Sequence, residues 1–160
     1  MRRRLSIMMF LEYLVPGAIV PIMSLYLQSH LHFEPYQAGI ILATTSGAAF
    51  IAPLIMSHIA DRLLSAERVL VICHILSAVC MLVLAQQTQF WPFLLVYLLY
   101  NIFFIPTFGL TNTIALHHIV NARKSFGGIR MWGTAGWVCI AWVFSFLWLR
   151  GPESAERLPH

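Results

Sequence analysis

The sequence predicts an all-α integral membrane protein with five transmembrane helices. Of its 160 residues, 59% are hydrophobic and only 10% are charged, whereas a soluble domain carries about 25% charged residues. The apolar residues form blocks long enough for a helix to cross about 30 Å of hydrocarbon. The predicted spans are residues 5–28, 36–57, 68–85, 91–114 and 130–149. Residues 1–149 are therefore expected to form a transmembrane bundle, and residues 150–160 a short polar tail.

The positions of the basic residues predict the orientation of these spans. Basic residues precede the first span and recur in the second and fourth connections: Arg2, Arg3, Arg4, Arg62, Arg68, Arg123, Lys124 and Arg130. The first and third connections contain no Lys or Arg. This alternation is typical of the positive-inside rule and argues against a nucleic-acid-binding surface, despite the net charge of +4. We expect a multi-pass protein of the cell (inner) membrane with a cytoplasmic N-terminus.

The first span contains a carboxylate and two prolines. Pro16 and Pro21 are tolerated in a membrane helix where neighbouring helices satisfy the freed carbonyls. Glu12 lies about two turns from the basic end of the helix. A carboxylate there could line a cavity, pair with a basic residue of another helix, or reach headgroup water at the interface. The sequence does not distinguish these roles.

The second and third spans predict helix packing. Pro35 is well placed to begin the second helix, and the stretch "ATTSGAAFIAP" offers small residues for close approach of another helix. On the third helix, Cys73 and Cys80 are seven residues apart, about 10 Å along the axis. That separation is too large for a disulfide, so we expect both to be buried as small apolar residues.

The fourth span contains Asn101 and Pro106 near its middle. An amide in hydrocarbon faces the bundle interior. Asn101 is therefore a candidate substrate-binding residue, although bridging between helices is the commoner use of such an amide. The nearby Tyr100 and, on the third helix, His74 are expected to be packing residues.

The fifth span begins with a possible ligand-binding face. Arg130, Thr134 and Trp137 follow one another at i, i+4 and i+7, within about 60° of one face. A guanidinium fork, a hydroxyl and an aromatic ring suit a polar ligand with a flat ring. Spacing alone does not settle the role, and it favours an interfacial arginine and an aromatic belt residue. Gly133 and Gly136 would let another helix approach closely.

The sequence contains no arrangement typical of an enzyme, a resident cofactor or a metal site. It has no Gly-rich phosphate loop, CxxC pair, GxSxG elbow or HExxH helix. His30 and His32 form an HxH in an aqueous loop, and His117 and His118 point about 100° apart on a helix. We expect these histidines to be solvated or interfacial, and we expect no enzymatic activity.

Several segments together resemble the nucleoside:proton symporters of the major facilitator superfamily. They are "LSIMMFLEYLVPGA", "SHIADRLLSAERVLVICH", "FGLTNTIALHH", "FGGIR" and "GIRMWGTAGW", in the order in which the family has them. The fifth-helix motif and the LTNxI stretch are fairly specific, and the Asp-Arg pair marks only the superfamily. The resemblance extends from Leu5 to about Phe146.

The resemblance implies roles for individual residues. Arg130 and Thr134 match positions that line the nucleoside cavity, and Trp137 stands where an aromatic residue contributes to it. Asp61 and Arg62 match a cytoplasmic gating-loop motif, which is incomplete because Ser57 and Leu64 replace its glycines. Pro16 stands where the family often has an aromatic residue.

The resemblance also implies a larger fold, in which two six-helix halves enclose the substrate. The five predicted helices look like a truncated N-terminal half, and the acidic residues usually associated with proton coupling lie in the second half. We therefore expect partners in the missing C-terminal helices, a nucleoside and a proton, and a fragment that is inactive alone. The sequence leaves two alternatives open. One is a carrier of a sugar or another small polar solute, and the other is a membrane interaction protein or remnant without transport.

Overall fold

The computed structural model describes residues 2–62, 65–119 and 122–149, without the side chains of 53–62, 122–124, 145 and 147–149. Within these ranges the regular structure is helical throughout. The elements are α1 (Arg2–Leu25), a π-helical turn (Tyr26–His30), α2 (Pro35–Arg62), α3 (Ala66–Leu84), α4 (Phe90–His117) and α5 (Ala122–Leu149). The prediction of an all-α protein with five long helices is confirmed.

Three helical stretches among the described residues are long and apolar enough to cross a membrane: Arg2–His30, Ala66–Leu84 and Phe90–His117. α4 continues past the predicted span, and α5 begins well before it, at Ala122. The α5 extension, residues 122–129, is the more polar one, with Arg123, Lys124 and Ser125. A helix continues there because its backbone hydrogen bonds are made within the segment, whatever the polarity of its side chains.

Prolines lie where the sequence predicts them to be tolerated. Pro16 and Pro21 are inside α1 and Pro106 is inside α4, and both helices continue through them. Pro35 is the first residue of α2. This position suits proline because the first N–H of a helix has no intrahelical partner.

The connection between α1 and α2 is fixed by backbone hydrogen bonds and one aromatic side chain. The N–H of Leu31 donates to the carbonyl of Tyr26 at 3.1 Å, and that of Phe33 to Leu27 at 2.9 Å. The Phe33 ring is buried and meets Phe90 and Phe93 edge-on, with centroid distances of 6.1 and 5.9 Å. These contacts tie the connection to the first turn of α4.

Residues 24–119 form one compact unit, in which α4 packs against both α2 and α3. Val69, Cys73 and Leu110 form a buried cluster between α3 and α4. Cys73 and Cys80 are both buried, as predicted. Along α4, successive rings contact one another at centroid distances of 6.2, 5.9, 5.2 and 5.4 Å, in the order Phe93, Tyr97, Tyr100, Phe104 and Phe108.

A second compact unit contains α1 up to Met23 together with α5. Contacts between these helices run from the hydrogen bond of Arg2 to Ser125, at 2.6 Å, up to the contact of Gly17 with Ile140. The residue numbers rise together along both helices, so α1 and α5 are parallel.

Three glycines bring α1 and α5 into close contact. A Cβ added to Gly17 would lie 2.9 Å from both Cα and O of Trp137, and one added to Gly136 would overlap the carbonyl oxygen of Phe10. A Cβ at Gly133 would lie 2.8 Å from Cδ2 of Tyr13. The prediction that Gly133 and Gly136 permit close approach is confirmed, and the helix that approaches is α1.

The Gly136 contact predicts a loss of stability when a methyl group is added. Gly136→Ala should lower the free energy of unfolding by about 2 kcal/mol, because the Phe10 carbonyl is backbone and cannot rotate away. The measurement is unfolding in mixed micelles, followed by circular dichroism. Gly128→Ala on the same helix is the control, because a Cβ there has no neighbour within 4 Å. Equal stability of the two variants would contradict the prediction.

Candidate functional site

Arg130, Thr134 and Trp137 follow one another along one face of α5. Arg130 and Thr134 are exposed and Trp137 is half-buried. Their order along the helix puts the guanidinium first, the hydroxyl one turn later and the indole about one turn after that. The face therefore presents hydrogen-bond donors, a hydroxyl and a flat ring, which can bind a polar ligand that has an aromatic ring.

The backbone of this face is fixed against α1. Gly17 lies directly against the backbone of Trp137, and Gly136 lies against the backbone of Phe10. Backbone contacts leave little freedom for rotation or sliding, because no side chain can change rotamer to accommodate a shift. Thr134 and Arg130 are on the same continuous helix, so their Cα positions relative to α1 are fixed as well.

Glu12 is buried in α1, with 3% of its surface exposed. This burial by protein disfavours the interpretation as an interfacial carboxylate that reaches headgroup water. It leaves the two alternatives in which Glu12 lines a cavity or pairs with another group. A buried carboxylate is costly unless it is paired, hydrogen-bonded or protonated.

Asn101 is buried between α4 and α2, and its Nδ2 donates two hydrogen bonds. One goes to the carbonyl of Tyr97 at 2.9 Å and the other to Oγ1 of Thr44 at 3.4 Å. The Tyr97 hydroxyl lies 3.4 Å from Oγ1 of Thr45. Asn101 therefore makes the interhelical bridge that the sequence offers as its alternative role, and substrate binding by Asn101 stays a prediction.

The structure groups the candidate residues unevenly. It brings Arg130, Thr134 and Trp137 onto one face of α5, in the same unit as Glu12, whereas Asn101 belongs to the unit of α2, α3 and α4. Asp61 and Arg62 are in the last turn of α2, and their side chains lie outside the described residues.

Among the described histidines, His30, His117 and His118 lie at or next to the ends of helices. His118 bonds to the carbonyl of Ile114 through Nδ1 at 2.9 Å, and His30 stacks on Tyr26 at a centroid distance of 5.2 Å. His74 bonds to the Leu70 carbonyl and meets Phe104 edge-on, in the packing role predicted for it. No group of three or more potential metal ligands occurs among the described residues.

The partners of the candidate residues are less visible in the sequence than the residues themselves. In the sequence, Thr44 and Thr45 belong to a stretch of small residues. In the structure, their hydroxyls contact Asn101 and Tyr97 of α4. Tyr13, which packs on Gly133, is one of many apolar or aromatic residues in the first span. The one available signal is that Asn101 and Tyr97 are four residues apart, so their groups lie on neighbouring turns.

Comparisons with known proteins identify relatives over nearly the whole chain. The profile described as "Nucleoside H+ symporter" matches residues 1–156. The putative nucleoside transporter YegT of Escherichia coli (strain K12) is 35% identical over 144 residues, covering 90% of this chain and 34% of its own. Nucleoside permease NupG of the same strain is 32% identical over 149 residues, covering 91% of this chain and 36% of its own.

A crystal structure of the nucleoside transporter NupG is similar to this chain. It superposes with a TM-score of 0.86 at 30% sequence identity, covering 91% of this chain and 37% of that chain. The present chain thus spans little more than a third of the length of the relatives that it matches.

The Asn101 bridge predicts a measurable contribution to stability. Asn101→Ala should lower the free energy of unfolding by about 1 kcal/mol, since it removes an interhelical hydrogen bond from a buried position. Thr113→Ala is the control on the same helix, because Thr113 is exposed and bonds only within α4. The measurement is unfolding in mixed micelles, and an Asn101→Ala variant as stable as the control would argue against the bridge.

Proposed function

We propose that this chain, which belongs to the nucleoside H+ symporter family, contributes the N-terminal helices of a carrier that moves nucleosides across a membrane together with protons. The observation that carries the proposal is the family match over residues 1–156, which includes the whole α5 face. The nucleoside transporters and permeases among its relatives support nucleosides as the cargo.

In this proposal Arg130, Thr134 and Trp137 bind the nucleoside. The guanidinium of Arg130 carries several donors in a rigid fork, which suits ribose hydroxyls or a base carbonyl. Thr134 adds a hydroxyl that can donate or accept, and Trp137 offers a ring on which a nucleobase can stack. The exposure of Arg130 and Thr134 supports this assignment, because a ligand can reach them. Asn101 is a secondary candidate, since its amide already bridges two helices.

Other residues are assigned supporting roles. Glu12 is proposed as a cavity carboxylate; its burial in α1 disfavours an interfacial role and is equally consistent with pairing to another group. Asp61 and Arg62 are proposed to act in a cytoplasmic gating loop. Their place at the end of α2 supports this, because a charged helix end can form or release contacts with another part of the carrier. The basic N-terminus supports a cytoplasmic start and insertion in the cell (inner) membrane.

The helices beyond the matched part of the relatives would supply the opposite side of the substrate site. We therefore expect cells that express only these 160 residues to accumulate no labelled uridine above the vector control. The measurement is uptake by cells in which membrane insertion of the chain has been verified. Uptake above background would show that the 160 residues transport alone.

The cargo is tested in a fusion in which residues 1–149 replace the matched part of NupG from E. coli. Uptake of labelled uridine by the fusion should be competed by unlabelled nucleosides and abolished by a protonophore. Competition by sugars with no effect of nucleosides would instead favour a carrier of sugars. An inserted fusion without any uptake would favour a membrane protein that does not transport.

Arg130→Lys in the same fusion should raise the KM for uridine about tenfold, because lysine keeps the charge and loses the planar fork. Arg3→Lys is the matched control at an exposed position near the start of α1. Unchanged KM with normal insertion would mean that Arg130 only anchors the helix at the membrane surface.

A further inference from the structure

The ring of Tyr13 packs against Gly133 of α5. A Cβ added to Gly133 would lie 2.8 Å from Cδ2 of Tyr13, 3.2 Å from Cε2 and 3.2 Å from Cγ. Three ring atoms are thus close to one backbone position. Tyr13 is half-buried, so part of this side chain is accessible.

Gly133 is surrounded on α5 by the proposed ligand-binding residues. It precedes Thr134 directly, follows Arg130 by three residues and precedes Trp137 by four. At about 100° per residue, Arg130 and Trp137 lie within about 60° of Gly133 around the helix axis. A ring that rests on Gly133 is therefore next to both of them.

Helix geometry also places Tyr13 on the same side of the α1–α5 contact as Arg130. On α1, Phe10 and Gly17 meet the backbone of α5, and Tyr13 is displaced from both by about 40–60° in one rotational sense. On α5, Arg130 is displaced from the centre of the contact in the opposite sense. For two parallel helices that face each other, opposite rotations lead to the same side.

We propose that Tyr13 is a further substrate-contacting residue, through which α1 supplies a second aromatic ring to the nucleoside site. The inference rests on the proposed function. Tyr13 differs from Phe10 and Gly17, because those two residues meet α5 through backbone contacts and Tyr13 meets it with a ring. Arg130 and Thr134 supply the polar contacts, and the flat nucleobase is the part of a nucleoside that an aromatic ring recognises.

The test measures uridine binding by the fusion of residues 1–149 with NupG described above, in lipid nanodiscs, by saturation-transfer NMR titration. Tyr13→Ala should weaken uridine binding about fivefold to tenfold and leave the binding of ribose unchanged, because only the contact with the base is lost. Tyr13→Phe should stay within about twofold, since it keeps the ring. Tyr36→Ala is the matched control, because Tyr36 is exposed at the start of α2.

Gly133→Ala provides an independent perturbation that retains the tyrosine. Its methyl group would lie 2.8 Å from Cδ2 of the Tyr13 ring and push the ring away from α5, so uridine binding should also weaken. Tyr13→Leu fills similar space without a ring and replaces Tyr13→Ala if the alanine variant does not fold. The same loss of uridine binding with retained ribose binding is expected.

The outcomes separate this inference from the proposed function. Uridine binding that is unchanged in Tyr13→Ala would overturn the role of Tyr13 and leave the nucleoside assignment intact. An equal loss of uridine and ribose binding would mean that Tyr13 only supports the fold, and would also overturn the inference. Absence of uridine binding by the unmodified fusion would overturn the proposed function of these helices and the inference with it.

Discussion

The contact between the backbones of α1 and α5 determines the geometry of the candidate site. Gly136 and Gly17 remove the two Cβ atoms that would keep the helices apart, so backbone meets backbone at both positions. In a membrane, helices associate through close packing and hydrogen bonds, since lipid tails are as apolar as the side chains. The glycines therefore promote association here because they have no side chain that would hold the two helices apart.

The unit of α2, α3 and α4 is held together differently. Its helices meet through side chains, with a column of contacting rings along α4 and a buried aliphatic cluster beside α3. The bridge from Asn101 to Thr44 adds a directional contact between α4 and α2. Apolar packing alone tolerates rotation of a helix, whereas an amide needs a partner at one place and so fixes the rotation of α4 relative to α2.

The sequence was sufficient to predict the helices, because an apolar segment in a membrane can satisfy its backbone N–H and C=O groups only by hydrogen bonds within a helix. It also indicated the Arg130, Thr134 and Trp137 face, since helical spacing puts these residues together before any tertiary contact forms. The sequence could not predict which residues of different helices contact each other. Gly133 predicts that some helix approaches, but only the three-dimensional arrangement identifies Tyr13 as the side chain that does so. Asn101 offered two roles, and its hydrogen bond to Thr44 was decided by the position of α2.

The division of α5 into two faces has an evolutionary consequence. The face that contacts α1 contains Gly136, where a Cβ would overlap the backbone carbonyl of Phe10, and Gly133, where a Cβ would crowd the Tyr13 ring. The adjacent face with Arg130 and Thr134 is exposed and meets no such restriction. In the proposed function, mutations that alter ligand recognition can therefore accumulate on one side of the helix without disturbing its contact with α1. Substrate preference among related carriers would then diverge through single substitutions of exposed α5 residues, while the packing of α1 against α5 stays unchanged.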